Sequence, residues 1–343
     1  MLLGASGLAN IEFFHNFAFP IKTLMTLETA ANLSMVYYMF LVGLETDFSL
    51  ILRAGKQAYS VALAGFVFAM PAGYGLFYKL QPHSKKRGGD IFWAVALACT
   101  NFPDLARILA DVKLLRSDFG RTALTSALIS DLCCWVLMVL SMAVLHKGKY
   151  ISLASTTVFI LICVFAVRPA LKWIISHRAK EEDYNEFHVC LALTGAILFG
   201  FISDACGAHS IAGAFMLGVV MPKGELKETI MEKVEEYVSG VMMPLFYLVI
   251  GLRVNVAQMA YNTSWPNVCL VIALAFVPKI VSTFFVSLLY KMPALDSLAL
   301  GLLMNTKGML SIIILSSGRD LKVLLYVLFV CVRECDRECG CIE

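Results

Sequence analysis

The chain has 343 residues, of which 59% are hydrophobic and 15% are charged, with a formal net charge of +3 at pH 7. Soluble domains carry about 25% charged residues, and a soluble chain with so few would expose a large apolar surface to water. No long basic run, GxxxxGK[ST], GxGxxG or HExxH motif is present, which argues against nucleic acid as a partner and against the corresponding enzymes. The composition predicts an all-α polytopic membrane protein surrounded by the lipid bilayer.

Apolar segments long enough to cross about 30 Å of hydrocarbon follow one another along almost the whole chain. About eleven transmembrane helices with short connections are predicted, and residues 176–188 are expected to form the longest loop. Lysine and arginine are more frequent on one side of this alternation, which predicts a cytosolic C-terminus. The predicted spans are 25–44, 58–79, 91–112, 122–145, 152–172, 188–204, 209–222, 238–252, 267–290, 297–317 and 321–333.

The third predicted span is interrupted by polar residues in LACTNFPDLARIL, residues 97–109. Pro103 lacks a backbone donor and is expected to disrupt the helix. Thr100, Asn101 and Asp104 surround it. Backbone groups freed at such a break are tolerated only against protein or a water-filled cavity. This segment therefore predicts a broken helix with polar groups at its centre.

The next span contains an isolated carboxylate, Asp131, in ALTSALISDLCCWVL. An acid at a helix centre costs about 2.5–3.5 kcal/mol on insertion scales, so it is expected to be paired or functional. Thr122, Ser126 and Ser130 form a hydroxyl stripe at i, i+4 and i+8 beside it. Small residues there allow close helix packing, or their oxygens bind a partly dehydrated cation. Both interpretations stay open.

The C-terminal half contains a second charged and interrupted region. Lys279 follows Pro278 in an apolar span and is a candidate partner for the carboxylate or a tie between helices. Asn305, Thr306 and Lys307 interrupt the run GLLMNTKGMLSIIIL. One interrupted span in each half is typical of a transporter with inverted repeats and a midplane site, and two packing kinks are the alternative.

The segment FPDLARILADVKLLRSDFGRTALTSALISDLCCWVL, residues 102–137, resembles the plant cation/proton exchangers (CHX family) of the second monovalent cation:proton antiporter superfamily. The motifs occur in the order and at the spacing of the family, and the resemblance extends to about residue 330. Further matching stretches are 40–58, 209–224, 242–256, 287–308 and 318–322.

This resemblance implies a sodium/proton-antiporter-like fold of inverted repeats with two broken helices, a dimer, and exchange of potassium or sodium for protons without a cofactor. Asp131 corresponds to the carrier of the ion and the proton, and Lys279 to the usual charge partner. Ser130 stands where the family usually has Asn or Asp. Ion-site and broken-helix positions carry over to Thr100, Asp104, Pro103, Asn305, Thr306 and Lys307, although Asp104 replaces an apolar residue.

The resemblance also implies a domain organisation. Residues 1–333 are expected to form an exchanger domain that lacks part of the family's N-terminus and its cytosolic C-terminal domain, followed by a cysteine-rich tail at 334–343. On this view the chain would transport poorly by itself. A plasma-membrane or endomembrane location fits the composition.

The alternatives are a non-transporting paralogue or fragment and, more remotely, a cation channel. A channel is disfavoured because no filter-like loop such as TVGYG is present. An intramembrane aspartyl protease would need a second facing carboxylate and a GxGD motif, which the sequence lacks. The predicted function is therefore antiport of a monovalent cation and a proton that compete for Asp131.

Overall fold

The computed structural model describes residues 21–46, 51, 54–80, 89–114, 117–145, 149–178, 186–207, 209–222, 224–253 and 265–320. Every regular element in these ranges is helical, and seven helical segments there are long and apolar enough to cross a membrane. Two of the seven run through a π-helical turn. The predicted all-helical multi-pass fold is confirmed. The predicted span 321–333 and the tail 334–343 lie outside the described residues.

Most of the predicted spans correspond to one helix or to a pair of shorter helices. A π-helical turn at Cys163–Val167 joins α6 to α7, and a second one at Val238–Met242 joins α10 to α11. In chain order the helices are α1 (Ile21–Glu45), α2 (Lys56–Leu80), α3 (Gly89–Ala98), α4 (Phe102–Asp111), α5 (Asp118–Leu145), α6 (Lys149–Ile162), α7 (Arg168–Arg178), α8 (Glu186–Ala205), α9 (Ser210–Val220), α10 (Glu225–Tyr237), α11 (Met243–Arg253), α12 (Trp265–Leu289), α13 (Ala294–Leu303) and α14 (Met309–Asp320).

The chain divides into two compact units. The first contains α1 and α6 to α11, and the second contains α2 to α4, α5 up to Ser141, and α12 to α14. Apolar residues fill the interior of each unit, as expected for helices that also present apolar faces outward. The polar residues singled out in the sequence as an ion site all lie in the second unit.

In the first unit, α9 packs against α1 and α8. The contact between α1 and α9 is close because Gly43 and Gly218 face each other across it. A Cβ atom at Gly218 would collide with the carbonyl oxygen of Phe40, and one at Gly43 would collide with that of Phe215. Small residues allow helix backbones to approach in this way within a membrane.

Replacing Gly218 with alanine is therefore expected to lower the thermal stability of the purified protein. The added methyl group meets backbone atoms, which cannot rotate away, and overpacking of this kind costs about 1–3 kcal/mol. Gly75 is the matched control because it is also in a helix and a Cβ there would meet nothing within 4 Å. The measurement is the melting temperature in detergent, and equal values for the two variants would contradict the prediction.

In the second unit, a long helix followed by a broken helix occurs twice. α2 precedes the pair α3 and α4, and α12 precedes the pair α13 and α14. α2 packs against α3 and α12, and α13 packs against α12. One core cluster holds α2, α4, α5 and the end of α13 together through Val61, Leu105, Ala127 and Met304.

The first break is confirmed, and Pro103 lies two residues after it. The chain is non-helical at residues 99–101, and Pro103 is the second residue of α4. Proline is tolerated in the first helical turn because the backbone N–H there has no intrahelical acceptor. Pro103 therefore lies in the first turn of the second half-helix, after Asn101 has adopted an extended conformation with φ −93° and ψ 101°.

The second break is also confirmed and falls between α13 and α14. The chain leaves the helix after Leu303 and re-enters it at Met309, so that Asn305, Thr306 and Lys307 are all outside regular helix. Asn305 is buried and Lys307 is half-buried.

Candidate functional site

The two breaks meet inside the second unit, where groups of the first break donate hydrogen bonds to backbone carbonyls of the second. The N–H of Asn101 donates to the carbonyl oxygen of Thr306 over 3.1 Å. The hydroxyl of Thr100 donates to the carbonyl oxygen of Met304 over 3.0 Å. Unpaired backbone groups in a membrane interior cost several kcal/mol each, so this crossing stabilises both interruptions.

Gly308 allows the side chains of the first break to lie against the second. A Cβ atom at Gly308 would collide with the Asn101 amide nitrogen and with a carboxylate oxygen of Asp104. Asp104 is half-buried in the first turn of α4, where the helix dipole favours a negative charge. The predicted site residue Asp104 is therefore placed at the crossing.

Lys279 holds the end of α3. Its side chain is 0% exposed, and its ammonium donates to Ala98 O at 2.6 Å, to Cys99 O at 2.8 Å and to Thr100 Oγ1 at 2.6 Å. The last carbonyls of a helix have no intrahelical donor and carry the negative end of its dipole. The buried ammonium of Lys279 thus has three acceptors, and the carbonyls at the end of α3 have a donor.

Lys307, from the second break, binds the same helix end. Its ammonium donates to the carbonyl oxygen of Leu97 and, over 3.1 Å, to that of Cys99. The carbonyl of Cys99 therefore accepts hydrogen bonds from both lysines. This arrangement ties α3 to α12 and to the segment before α14.

Asp131 is buried in α5 with 5% of its surface exposed. Its Oδ1 atom has no hydrogen-bond partner within the described part of the chain. The charges of Lys279 and Asp131 attract each other, but the three hydrogen bonds of Lys279 go to α3 and Thr100. Asp104 is near enough to repel Asp131 electrostatically. The site therefore contains a carboxylate whose oxygen is unsatisfied without a ligand.

The hydroxyl of Thr100 is fully used in this structure. It donates to Met304 O and accepts from Lys279 Nζ, so the 3.1 Å contact with Ser130 Oγ has Ser130 as the donor. Both lone pairs of Thr100 are then occupied, and the lone pairs of Ser130 remain. Thr100 would have to lose a bond to bind a cation, whereas Ser130 would not.

The remaining hydroxyls of the predicted stripe bond within their own helix. Thr122 donates to Asp118 O over 2.9 Å, and Ser126 donates to Thr122 O over 2.7 Å. Only Ser130 of the stripe is seen to connect to the break, through Thr100. Because these hydroxyls bond within their own helix, Thr122 and Ser126 fit the packing interpretation better than they fit a set of oxygens that binds a cation.

Several other buried polar atoms around the crossing have no partner among the described residues. The amide group of Asn305 is unpaired at both its nitrogen and its oxygen, and its side chain is 5% exposed. A buried group without a hydrogen bond costs about 1–3 kcal/mol, unless water or an ion satisfies it. The other unpaired atoms near the breaks are Asn101 Nδ2, Thr306 Oγ1 and Ser311 Oγ.

Sequence analysis missed the lysine acceptors and the spacing role of Gly308. Backbone carbonyls of Leu97, Ala98 and Cys99 carry no side-chain signature, so no pattern pointed to them. The glycine following Asn305-Thr306-Lys307 was visible, and a glycine at a break is a signal of close backbone approach.

Comparison with known proteins gives a family match over almost the whole chain. The family described as "Sodium/hydrogen exchanger, transmembrane" matches residues 1–332. The chain is 40% identical over 332 residues to Cation/H(+) antiporter 15 of Arabidopsis thaliana. The aligned region covers 94% of this chain and 40% of that protein. It is 42% identical over 333 residues to the plant's chloroplastic Cation/H(+) antiporter 23, with 94% and 38% coverage.

More distant similarities extend to yeast and archaea. K(+)/H(+) antiporter 1 of Saccharomyces cerevisiae is 26% identical over 351 residues, covering 96% of this chain and 40% of that protein. The chain spans about 40% of the length of these curated relatives. The sodium proton antiporter MjNhaP1 of Methanocaldococcus jannaschii matches with a TM-score of 0.64 at 15% identity, covering 94% of this chain and 78% of that structure. At this identity the likeness shows the fold alone.

Proposed function

The chain belongs to the sodium/hydrogen exchanger family, and from this premise we propose that it exchanges a monovalent cation for protons, with Asp131 as the shared site. It is a transporter rather than an enzyme, as its relatives are. The observation that carries the assignment of Asp131 is its buried, unpartnered Oδ1 atom beside the crossing of two broken helices. Potassium is the first candidate cation and sodium the second.

The mechanism is competition for one carboxylate. An ionised and unpaired Asp131 is costly in a buried site, so the carboxylate binds either a proton or a cation. Hard monovalent cations take oxygen ligands, as calcium and magnesium do. Ser130 precedes Asp131 on α5 and keeps its lone pairs, so it is the proposed source of the next oxygen, and Asp104 adds negative charge nearby.

The lysines position the first break and are not cation ligands. Lys279 and Lys307 keep the carbonyls of the α3 end occupied, so those oxygens do not compete with Asp131 for the cation. Lys279 also supplies positive charge that stabilises the ionised carboxylate when no cation is bound. Alternating access then exposes the site to one side of the membrane at a time.

Potassium is preferred in the proposal because a yeast relative is named a K(+)/H(+) antiporter, while the plant relatives are named only for a cation. The proposal includes a homodimer, a cytosolic C-terminus and a location in the plasma membrane or an endomembrane. It also includes the domain organisation predicted from the sequence, with an exchanger domain at 1–333 and a tail at 334–343.

The proposal is tested with the full chain in vesicles that contain a pH-sensitive dye. An outward potassium gradient is expected to acidify the vesicle interior slowly, but faster than in empty vesicles, because potassium that leaves is exchanged for protons that enter. Sodium, a choline gradient and empty vesicles are run in parallel. Acidification no faster than in empty vesicles under every gradient would support a non-transporting paralogue or fragment instead.

The same vesicles test the stoichiometry. Ser130 cannot titrate, so Asp131 alone at this pair of positions is expected to carry one proton against one cation. With equal potassium inside and outside, a pH gradient drives the exchange, and valinomycin, which then holds the membrane potential at zero, should leave the exchange rate unchanged. Strong dependence on the potential would mean that a second group, such as Asp104 or Lys279, takes part. A cation channel would instead carry a net current of cations without moving protons in exchange.

A further inference from the structure

A groove on the surface of the second unit lies between α2 and α3. It has a volume of about 710 Å³, and its lining is apolar along most of its length. The two helices touch beside it, because a Cβ atom at Gly73 would collide with the backbone of Ala94. Its walls include Met70, Pro71, Tyr74 and Gly75 of α2 and Ile91 and Ala94 of α3.

The residue types along α2 explain the recess. Pro71 and Gly75 are four residues apart and therefore lie on one row of the helix, and neither has a long side chain. A Cβ atom at Gly75 would meet nothing within 4 Å. The groove follows α2 from Phe66 to Gly75, which is roughly 14 Å along the helix axis. An elongated, rigid body fits along such a path.

A chain of hydrogen bonds lies at one end of the groove. The hydroxyl of Tyr78 donates to Asp90 Oδ2 over 3.4 Å, and the hydroxyl oxygens of Tyr74 and Tyr78 are 3.2 Å apart. A tyrosine has one proton to donate, so Tyr74 is the donor to Tyr78. The oxygen of Tyr74, whose side chain lines the groove, is then left as an acceptor.

This end of the groove favours a neutral hydrogen-bond donor. An alcohol can donate to Tyr74, whereas a phosphodiester has no proton to donate and is repelled by the Asp90 carboxylate. Lys79 is exposed in the last turn of α2, where water and salt screen its charge. An ethanolamine headgroup has a donor, but a phosphate and a glycerol separate that donor from the apolar chains. The expected ligand therefore has a hydroxyl attached directly to a rigid apolar body.

The level of this end in the bilayer fits the same ligand. Tyr74 and Tyr78 lie in the last turns of an apolar segment, Lys56–Lys79, that is long enough to cross a membrane. Tyrosines at that level place their rings in the apolar region and their hydroxyls near the water boundary, where the hydroxyl of a membrane sterol also lies. A rigid ring system also loses less conformational freedom on binding than a flexible acyl chain does.

We propose that the groove between α2 and α3 binds a sterol, with the ring system along α2 and the hydroxyl donating to Tyr74. The site belongs to the second unit alone and does not depend on exchange activity.

The test uses the full chain in phosphatidylcholine vesicles that contain a sterol with a photoactivatable diazirine on its ring system. After illumination, the labelled peptides are identified by mass spectrometry. Labelling is expected within 66–75 and 91–94, and an excess of unlabelled sterol is expected to abolish it. The methyl ether of the same sterol, which has no donor, and phosphatidylethanolamine are expected to compete more weakly.

Two variants separate the shape of the groove from its polar end. Gly75→Leu fills the recess and is expected to lose the competable labelling, whereas Gly240→Leu, at an exposed glycine with equally open surroundings, is expected to keep it. Tyr74→Phe removes the acceptor and is expected to raise the sterol concentration for half competition roughly threefold to tenfold, the effect of one hydrogen bond. Tyr237→Phe is its control, because Tyr237 is exposed on α10.

Labelling that unlabelled sterol does not displace would overturn the proposal. Equal competition by phosphatidylethanolamine would also overturn it and would indicate an acyl chain in the groove. So would unchanged labelling in Gly75→Leu, or equal competition by the sterol and its methyl ether. Gel filtration checks folding, and Tyr74→Phe, which only removes an oxygen, decides the outcome if Gly75→Leu aggregates. Loss of exchange does not affect these measurements, so the two proposals can fail separately.

Discussion

Replacing Asp131 with asparagine is expected to reduce potassium-driven proton movement to the level of empty vesicles. Asparagine has nearly the same shape but cannot hold a titrating proton or a negative charge. The position is 5% exposed, and Oδ1 has no partner among the described residues, so the change removes no hydrogen bond at that atom. The fold is expected to remain intact while transport is lost.

Asp118→Asn is the matched control for this experiment. Asp118 lies at the start of the same helix and is exposed, so its amide variant is expected to keep the parent rate. Both variants are reconstituted at equal density, and their melting temperatures are compared first. If Asp131→Asn transports at the parent rate, Asp131 is structural, and Asp104 becomes the next carrier to test.

Replacing Lys279 with methionine is expected to lower stability and exchange together. The change removes three hydrogen bonds, and Cys99 O keeps a donor from Lys307, whereas Ala98 O and Thr100 Oγ1 each lose one. Thr100 Oγ1 keeps Ser130 as a donor, so Ala98 O is the buried acceptor that loses its donor, and leaving such a group unsatisfied costs about 1–3 kcal/mol. Removing a buried charge recovers part of the desolvation cost.

The melting temperature in detergent and the exchange rate are both measured for Lys279→Met. Lys233→Met is the control, because Lys233 is exposed on α10 and its loss leaves no buried acceptor. A drop for Lys279→Met alone supports a structural role at the end of α3. An unchanged or higher melting temperature would show that the desolvation of the ammonium outweighs its hydrogen bonds, and the proposed tie would be wrong.

The sequence was sufficient for the class of protein, most of the helices and both interruptions. These features are local. Each of them is recognised within a single segment of the sequence. Examples are the length of an apolar run, the polar tetrapeptide Asn305-Thr306-Lys307-Gly308 and the isolated carboxylate of Asp131. The cost of exposing polar backbone or charge to lipid is high enough that such signals survive without knowledge of the neighbours. The family resemblance, which the comparisons confirm, rests on the same segments.

The tertiary structure decided how those segments satisfy one another. Lys279 and Ala98 are 181 residues apart, and Lys307 and Leu97 are 210 residues apart. Their acceptors are main-chain carbonyls that every residue possesses, so no sequence pattern marks them. The saturation of Thr100 likewise depends on which helix ends pack together. Long-range packing sets these contacts, because a buried donor or acceptor bonds to whatever the fold brings within reach.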